Sequence, residues 1–180
     1  IEALILDDQA AVLAQALDSA LIKGGGANEP TGVLATAGIQ TANLATLSWA
    51  NVLGMLQKLD IVNASAANIV ASTKVKAKLM GTLKSAGIAG FLMEGGRMAD
   101  LPCYFSNQVA EKTGAPNTGK LIAGDWSQVM LGIWSEVDLL VNPFDSTAYA
   151  RGGVLVRAMT TYDIAVRHPN AFVFAEDIAI

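Results

Sequence analysis

The segment Gly114-Ala115-Pro116-Asn117-Thr118-Gly119-Lys120 fits the spacing G-x-x-x-x-G-K of a phosphate-binding loop. In such a loop backbone N–H groups cradle the phosphates and the lysine reaches them. A Ser or Thr then holds magnesium at the start of a helix. Here the next residue is Leu121, and Leu121-Ile122-Ala123-Gly124 reads as a strand. The segment is therefore expected to be an exposed turn between strands. A small nucleotide-binding enzyme using the Gly114–Lys120 loop is carried only as an alternative. His168, the single histidine, stands before Pro169 and reads as a surface or packing residue. Cys103, between Pro102 and Tyr104, has no CxxC partner and no nearby histidine, so it reads as a small buried hydrophobe. The pairs Asp7/Asp8, Glu136/Asp138 and Glu176/Asp177 could point to metal or acid–base chemistry. No second ligand set accompanies them, and they read as solvated faces. The expectation is a non-enzyme with no catalytic residue, cofactor or metal.

Lys74, Lys76, Lys78 and Lys84 cluster on one expected helix of an otherwise acidic chain. No arginine or aromatic residue accompanies them to fork to phosphates or stack on bases. A nucleic-acid contact, a contact with the acidic opening segment of a neighbouring subunit (Glu2, Asp7, Asp8, Asp18, Glu29) and a solvated helix face all fit, the last being the simplest. Trp49, Trp126 and Trp134 lie in apolar contexts that read as core or interface.

Composition sets the frame for these residues. Of 180 residues, 52% are hydrophobic and 16% charged, against about 45–50% and about 25% in an ordinary soluble domain. Disorder is excluded, and the length suffices for one good core with a small second lobe. A net charge of −4 and a pI near 4.9 argue against binding nucleic acid by neutralising phosphates. One cysteine allows no intrachain disulfide, which fits a reducing compartment. The mean hydropathy of +0.41 raises the question of a membrane, and residues 30–57 carry no charge. Gln40, Asn43, Asn51, Gln57 and glycines 32, 38 and 54 interrupt that stretch, unlike a membrane-inserting helix. Neither a membrane span nor a signal peptide is expected. Few charges on a chain of this size imply surface covered by other subunits, as in an obligate oligomer.

The elements follow from periodicity. Leu6, Ala10, Leu13, Leu17, Ala20 and Leu21 recur at spacings of three and four, predicting a helix over 2–23 that Gly24-Gly25-Gly26 ends. The chain starts at Ile1 with no N-cap ahead of this helix, so a fragment or processed form is expected. Residues 24–32 read as two consecutive turns. A second helix is predicted over 43–59, a strand over 68–72, and a third helix from Ser72 or Thr73 to about Lys84. Residues 99–105 read as a strand interrupted by Pro102, which places it at an edge or a bulge, and 120–124 as a further strand. Residues 129–134 and 136–142 read as a meander, 154–160 and 163–168 as a hairpin or strand pair, and 171–175 as a last strand. Helices first and strands later make an α+β signature.

Four stretches carry a resemblance. They are Ala16-Leu17-Asp18-Ser19-Ala20-Leu21-Ile22-Lys23-Gly24-Gly25-Gly26 through Pro30-Thr31-Gly32-Val33, then Ala67-Asn68-Ile69-Val70-Ala71-Ser72-Thr73. Next come Leu101-Pro102 with Lys120-Leu121-Ile122-Ala123-Gly124-Asp125-Trp126-Ser127, and finally Val154 through Phe172. In this order they resemble the major capsid protein family of tailed phages, the Hong Kong 97-type fold. The resemblance implies two lobes. A peripheral part would comprise 1–34, with a long spine helix, and 151–180, whose strands receive that helix. A mixed-sheet axial part would comprise 35–150. It implies a shell subunit of a phage or prophage forming pentamers and hexamers of an icosahedral head, which encloses double-stranded DNA without sequence-specific binding. Portal and scaffolding proteins would be further partners. The place would be the virion, with assembly in the bacterial cytoplasm. An encapsulin-type compartment shell is the alternative within the same fold. The family's arm and extended loop ahead of the spine helix have no counterpart in these residues, so no cross-link is carried over.

Overall fold

The computed structural model describes residues 2–85, 87–109 and 117–180. They form α1 (Glu2–Lys23), β1 (Gln40–Thr41), α2 (Trp49–Ile61), β2 (Asn68–Ala71), α3 (Thr73–Gly81), β3 (Leu83–Ser85) and β4 (Ile88–Phe91). β5 (Arg97–Met98), β6 (Leu101–Phe105), β7 (Thr118–Gly124), β8 (Val129–Asn142), α4 (Ser146–Tyr149), β9 (Leu155–Val166) and β10 (Phe172–Ala179) follow. The fold is α+β. No helix among the described residues is long and apolar enough to cross a membrane.

α1 spans the residues its periodicity marks, and the chain then doubles back through a close backbone contact. Gly32 N–H donates to the Gly24 carbonyl at 2.9 Å. A Cβ at Gly24 would sit 2.1 Å from the Pro30 oxygen, and one at Gly32 2.5 Å from the Ala20 oxygen. Only glycine permits that approach. α2 begins six residues later than its apolar spacing predicts. Ser48 caps it, its Oγ accepting the Asn51 N–H. Ahead of it Asn43 Oδ1 accepts the Ala45 N–H in a local turn that competes with helix. Leu44, fully buried there, donates its N–H to Asp177 Oδ1 at 2.8 Å. α3 ends at Gly81, short of the predicted Lys84. Thr82 is extended, and Lys84 lies in the β3–β4 hairpin.

The six-stranded sheet has the order β1-β10-β7-β2-β6-β5. β7 runs antiparallel to both β10 and β2, while β2–β6 and β1–β10 are parallel. Alternation along the strands divides the core, since successive side chains face opposite ways. Ile69, Ala71, Leu121, Ala123, Val173 and Ala175 face α2 and α3, which contribute Val52, Met55, Leu59, Val75 and Leu79. Val70, Ile122, Phe172 and Phe174 face the other way, where Ile22 of α1 and Val33 pack. β6, which carries Pro102, is next to the short edge strand β5.

The expected meander and hairpin are instead two long strands. β8 and β9 pair along their length as an antiparallel ribbon. The break read at Ser135 is a pair of register shifts, between Ile133 and Ser135 and between Ser135 and Asp138, not a turn. Residues 161–162 simply continue β9. Strand pairing crosses the boundary expected at 151 in both directions: β8 pairs with β9, and β10 pairs with β7 in the sheet. Two side-by-side connections join ribbon to sheet. Across them Asp125 N–H donates to the Ala171 oxygen at 3.1 Å and Arg167 N–H to the Gln128 oxygen at 2.9 Å. Trp126 meets Phe172 edge-on at 5.5 Å.

Candidate functional site

The residues with recognisable chemistry are scattered by the fold. Residues 114–116 of the phosphate-loop match lie outside the described residues. The turn expected through Lys120 is corrected at its end, where Thr118, Gly119 and Lys120 open β7. Gly119 is buried, a Cβ there falling 2.2 Å from Val75 Cγ2, and Lys120 pairs with Glu176 at 3.4 Å. A strand stands where phosphate binding needs a helix N-terminus. Cys103 is half-buried against the main core, and desolvation pushes its thiol up, away from the reactive thiolate. Asp7, Asp8 and Asp138 are exposed, and Asp177 is engaged by the Leu44 N–H. Among the described residues no three His, Cys, Asp or Glu side chains gather as a metal site.

His168 is exposed and lines a polar cleft of about 530 Å³ with Asn63, Ser65, Asp125, Gln128 and Asn170. Asp125 accepts hydrogen bonds from Gln128 Nε2 at 2.8 Å and from Ser127 Oγ and N. These hold its carboxyl below the usual value, the Gln128 bond most of all. The arrangement rigidifies the junction between ribbon and sheet. The lysines also separate. Lys74, Lys76 and Lys78 are exposed on α3, whereas Lys84 sits in a strand with its Nζ 4.9 Å above the Trp49 ring.

What gathers instead is apolar surface. Trp134 is 71% exposed, and Ile133, Val137, Leu140 and Val141 on β8, with Leu155 and Met159 on β9, are exposed as well. On α1 Leu4 and Val12 are each 64% exposed. Between helix and ribbon lies an open cleft of about 560 Å³, lined by Leu6, Leu13, Leu17, Ile133, Val137 and Leu139. Gln9 also lines it, and its Oε1 is buried without a partner among the described residues. A strand apolar on both sides belongs inside a protein, and an isolated two-stranded ribbon is at best marginal in water. Covering six such side chains of roughly 100 Å² each would yield about 15 kcal/mol by area. From that gross driving force the loss of translational and rotational freedom subtracts about 4–15 kcal/mol, and the ordering of side chains subtracts more. The sequence reading expected surface covered by other subunits and placed Trp134 in core or interface; the structure puts Trp134 on this exposed ribbon.

Comparison with known proteins adds three findings. The model of the phage capsid family matches residues 1–177. The major capsid protein of Halomonas phage phiHAP-1 is 27% identical over 179 residues, covering 97% of this chain. The chain spans only 28% of that relative's length. Among solved structures, the capsid of a native GTA particle, computed with C5 symmetry, superposes with a TM-score of 0.74 at 20% identity. That likeness covers 99% of this chain and 66% of the other. The holo-SrpI encapsulin complex from Synechococcus elongatus superposes with a TM-score of 0.63 at 12% identity, covering 97% and 64%. These structural likenesses establish a shared fold.

Proposed function

The chain belongs to the phage capsid family, and from that premise we propose that it is a structural shell subunit, the major capsid protein of a tailed phage or prophage. It self-associates into pentamers and hexamers of an icosahedral head around double-stranded DNA, with no chemical turnover. The observation that carries this reading is the outer part of the β8–β9 ribbon, where Ile133, Trp134, Val137, Leu140, Leu155 and Met159 are exposed. Covering that surface calls for neighbouring subunits. The encapsulin shares the fold, and it is the family match that favours a phage head over a cargo compartment. A capsid family fits a non-enzyme.

On this reading the peripheral lobe is α1 with the ribbon, and the axial lobe is the six-stranded sheet with α2 and α3. The division at 34/35 and 150/151 then shifts, with 129–142 joining the peripheral lobe and 172–179 the axial one. Portal and scaffolding proteins are further partners within the proposal, as are location in the virion and assembly in the bacterial cytoplasm. Sedimentation velocity with negative-stain microscopy of the complete polypeptide tests it. Closed shells or capsomer rings are expected, and monomers under every condition tried would count against a shell subunit.

A further inference from the structure

α3 carries Lys74, Lys76 and Lys78, all exposed, and no acidic residue. α1 carries Asp7, Asp8 and Asp18, also exposed, against a single lysine at its last residue. α3 and the end of α1 occupy opposite sides of the six-stranded sheet, and the earlier turns of α1 run along the ribbon, where Asp8 borders Arg157. Val75 and Leu79 of α3 pack in the cluster containing Leu121, whereas Ile22 of α1 packs in the cluster containing Ile122. Opposite charges so placed do not neutralise each other within one molecule. Two copies can bring such surfaces together, and a contact joining two different surfaces of one chain repeats head to tail and closes into a ring when the rotation allows.

At 100° per residue, Lys74 and Lys78 stand on one flank of α3 and Lys76 on the other, with exposed Ala77 between them. On α1, Asp7, Asp18 and Asp8 fall within about 100° of one another around the helix, on the exposed side that also carries Ala11. We propose that α3 of one copy docks on α1 of the next copy, the lysines against Asp7, Asp8 and Asp18. This rests on the shell-subunit reading and adds which surfaces of adjacent copies meet. A second copy suits α3 better than a polyanion does, because α3 lacks arginine and the chain's net charge is −4.

Charge reversal with rescue tests the contact, using the complete polypeptide and sedimentation velocity at low salt. Lys74→Glu with Lys78→Glu should raise the concentration needed for assembly about tenfold, as attraction becomes repulsion. Asp8→Lys with Asp18→Lys should do the same. The four changes combined should return assembly to within about threefold of the parent, since complementarity is restored with the signs exchanged. Melting by circular dichroism checks that these exposed substitutions leave the fold intact. A parent that assembles while the reversals have no effect, or in which the two losses add without rescue, overturns the proposal alone. Reversals of α3 that change only DNA retention by intact particles also overturn it, in favour of a nucleic-acid contact. A parent that never associates defeats the shell-subunit reading, and this contact with it.

Discussion

At Gly124 the absence of a side chain is a packing requirement. A Cβ there would lie 2.4 Å from Phe172 Cδ1 and 2.7 Å from the Ala171 oxygen. The neighbour on one side is backbone and cannot swing away. Gly124→Ala is expected to destabilise the protein by about 1–3 kcal/mol, read as a lower urea midpoint. One residue on, Asp125 makes a different kind of contribution. Its carboxyl is held below its usual 3.8 by the hydrogen bonds of Gln128 and Ser127. A depressed folded value contributes stability that is present above the unfolded value and is lost as pH falls through the folded one. Asp125→Asn keeps an acceptor for Ser127 and removes the charge. The parent should therefore exceed the variant in stability at pH 7, and the gap should close in acid below about pH 4. Paired urea titrations across that range check it, and a gap independent of pH would contradict this account of the junction.

Among the elements, the ribbon departs furthest from ordinary packing. β-strands of 14 and 12 residues pair with each other, while Ile133, Trp134, Val137, Leu140, Val141, Leu155 and Met159 remain open to solvent. Within one molecule such residues contribute little to folding, because little of their surface leaves water. Trp134→Thr with Leu140→Thr retains strand-favouring side chains and should change the unfolding free energy by no more than about 0.5 kcal/mol per site. The same pair should sharply weaken association if the ribbon is covered by neighbours. Thermal melts and sedimentation velocity on one preparation separate the two effects. A large loss of intrinsic stability with unchanged association would place the ribbon inside the subunit's own energetics instead.

For the whole molecule, the sheet, its two helices and the junction form a well-covered core, and the surplus apolar surface lies on α1 and the ribbon. Association through such surface weakens on cooling, since apolar burial is entropy-driven near room temperature. Assembly of the complete polypeptide should therefore require more protein at 4 °C than at 25 °C, as followed by light scattering. Assembly unaffected or strengthened by cooling would mean that polar contacts dominate the association. Opposite charges on α1 and α3 would add a salt-sensitive part to that balance.

The extent of α1 was legible because both its apolar stripe and the glycines that end it lie in adjacent sequence, as does the β7 run Leu121-Ile122-Ala123. The start of α2 was not, because Leu44 and Leu47 repeat at helical spacing yet Leu44 is held by Asp177, 133 residues away. Nor were β8 and β9 legible as single strands: a bulge and a turn both interrupt alternation, and only the partner strand's register distinguishes them. The choice of β7 as partner for β10 is likewise a long-range pairing with no local signature. The candidate site follows the same division. The sequence by itself determined the α+β class, the scarcity of chemistry-bearing residues and the excess of apolar ones, since these depend on composition and short-range pattern. Only the tertiary structure decided which apolar residues fill the core and which remain on the surface, because burial depends on what the folded chain brings to each face.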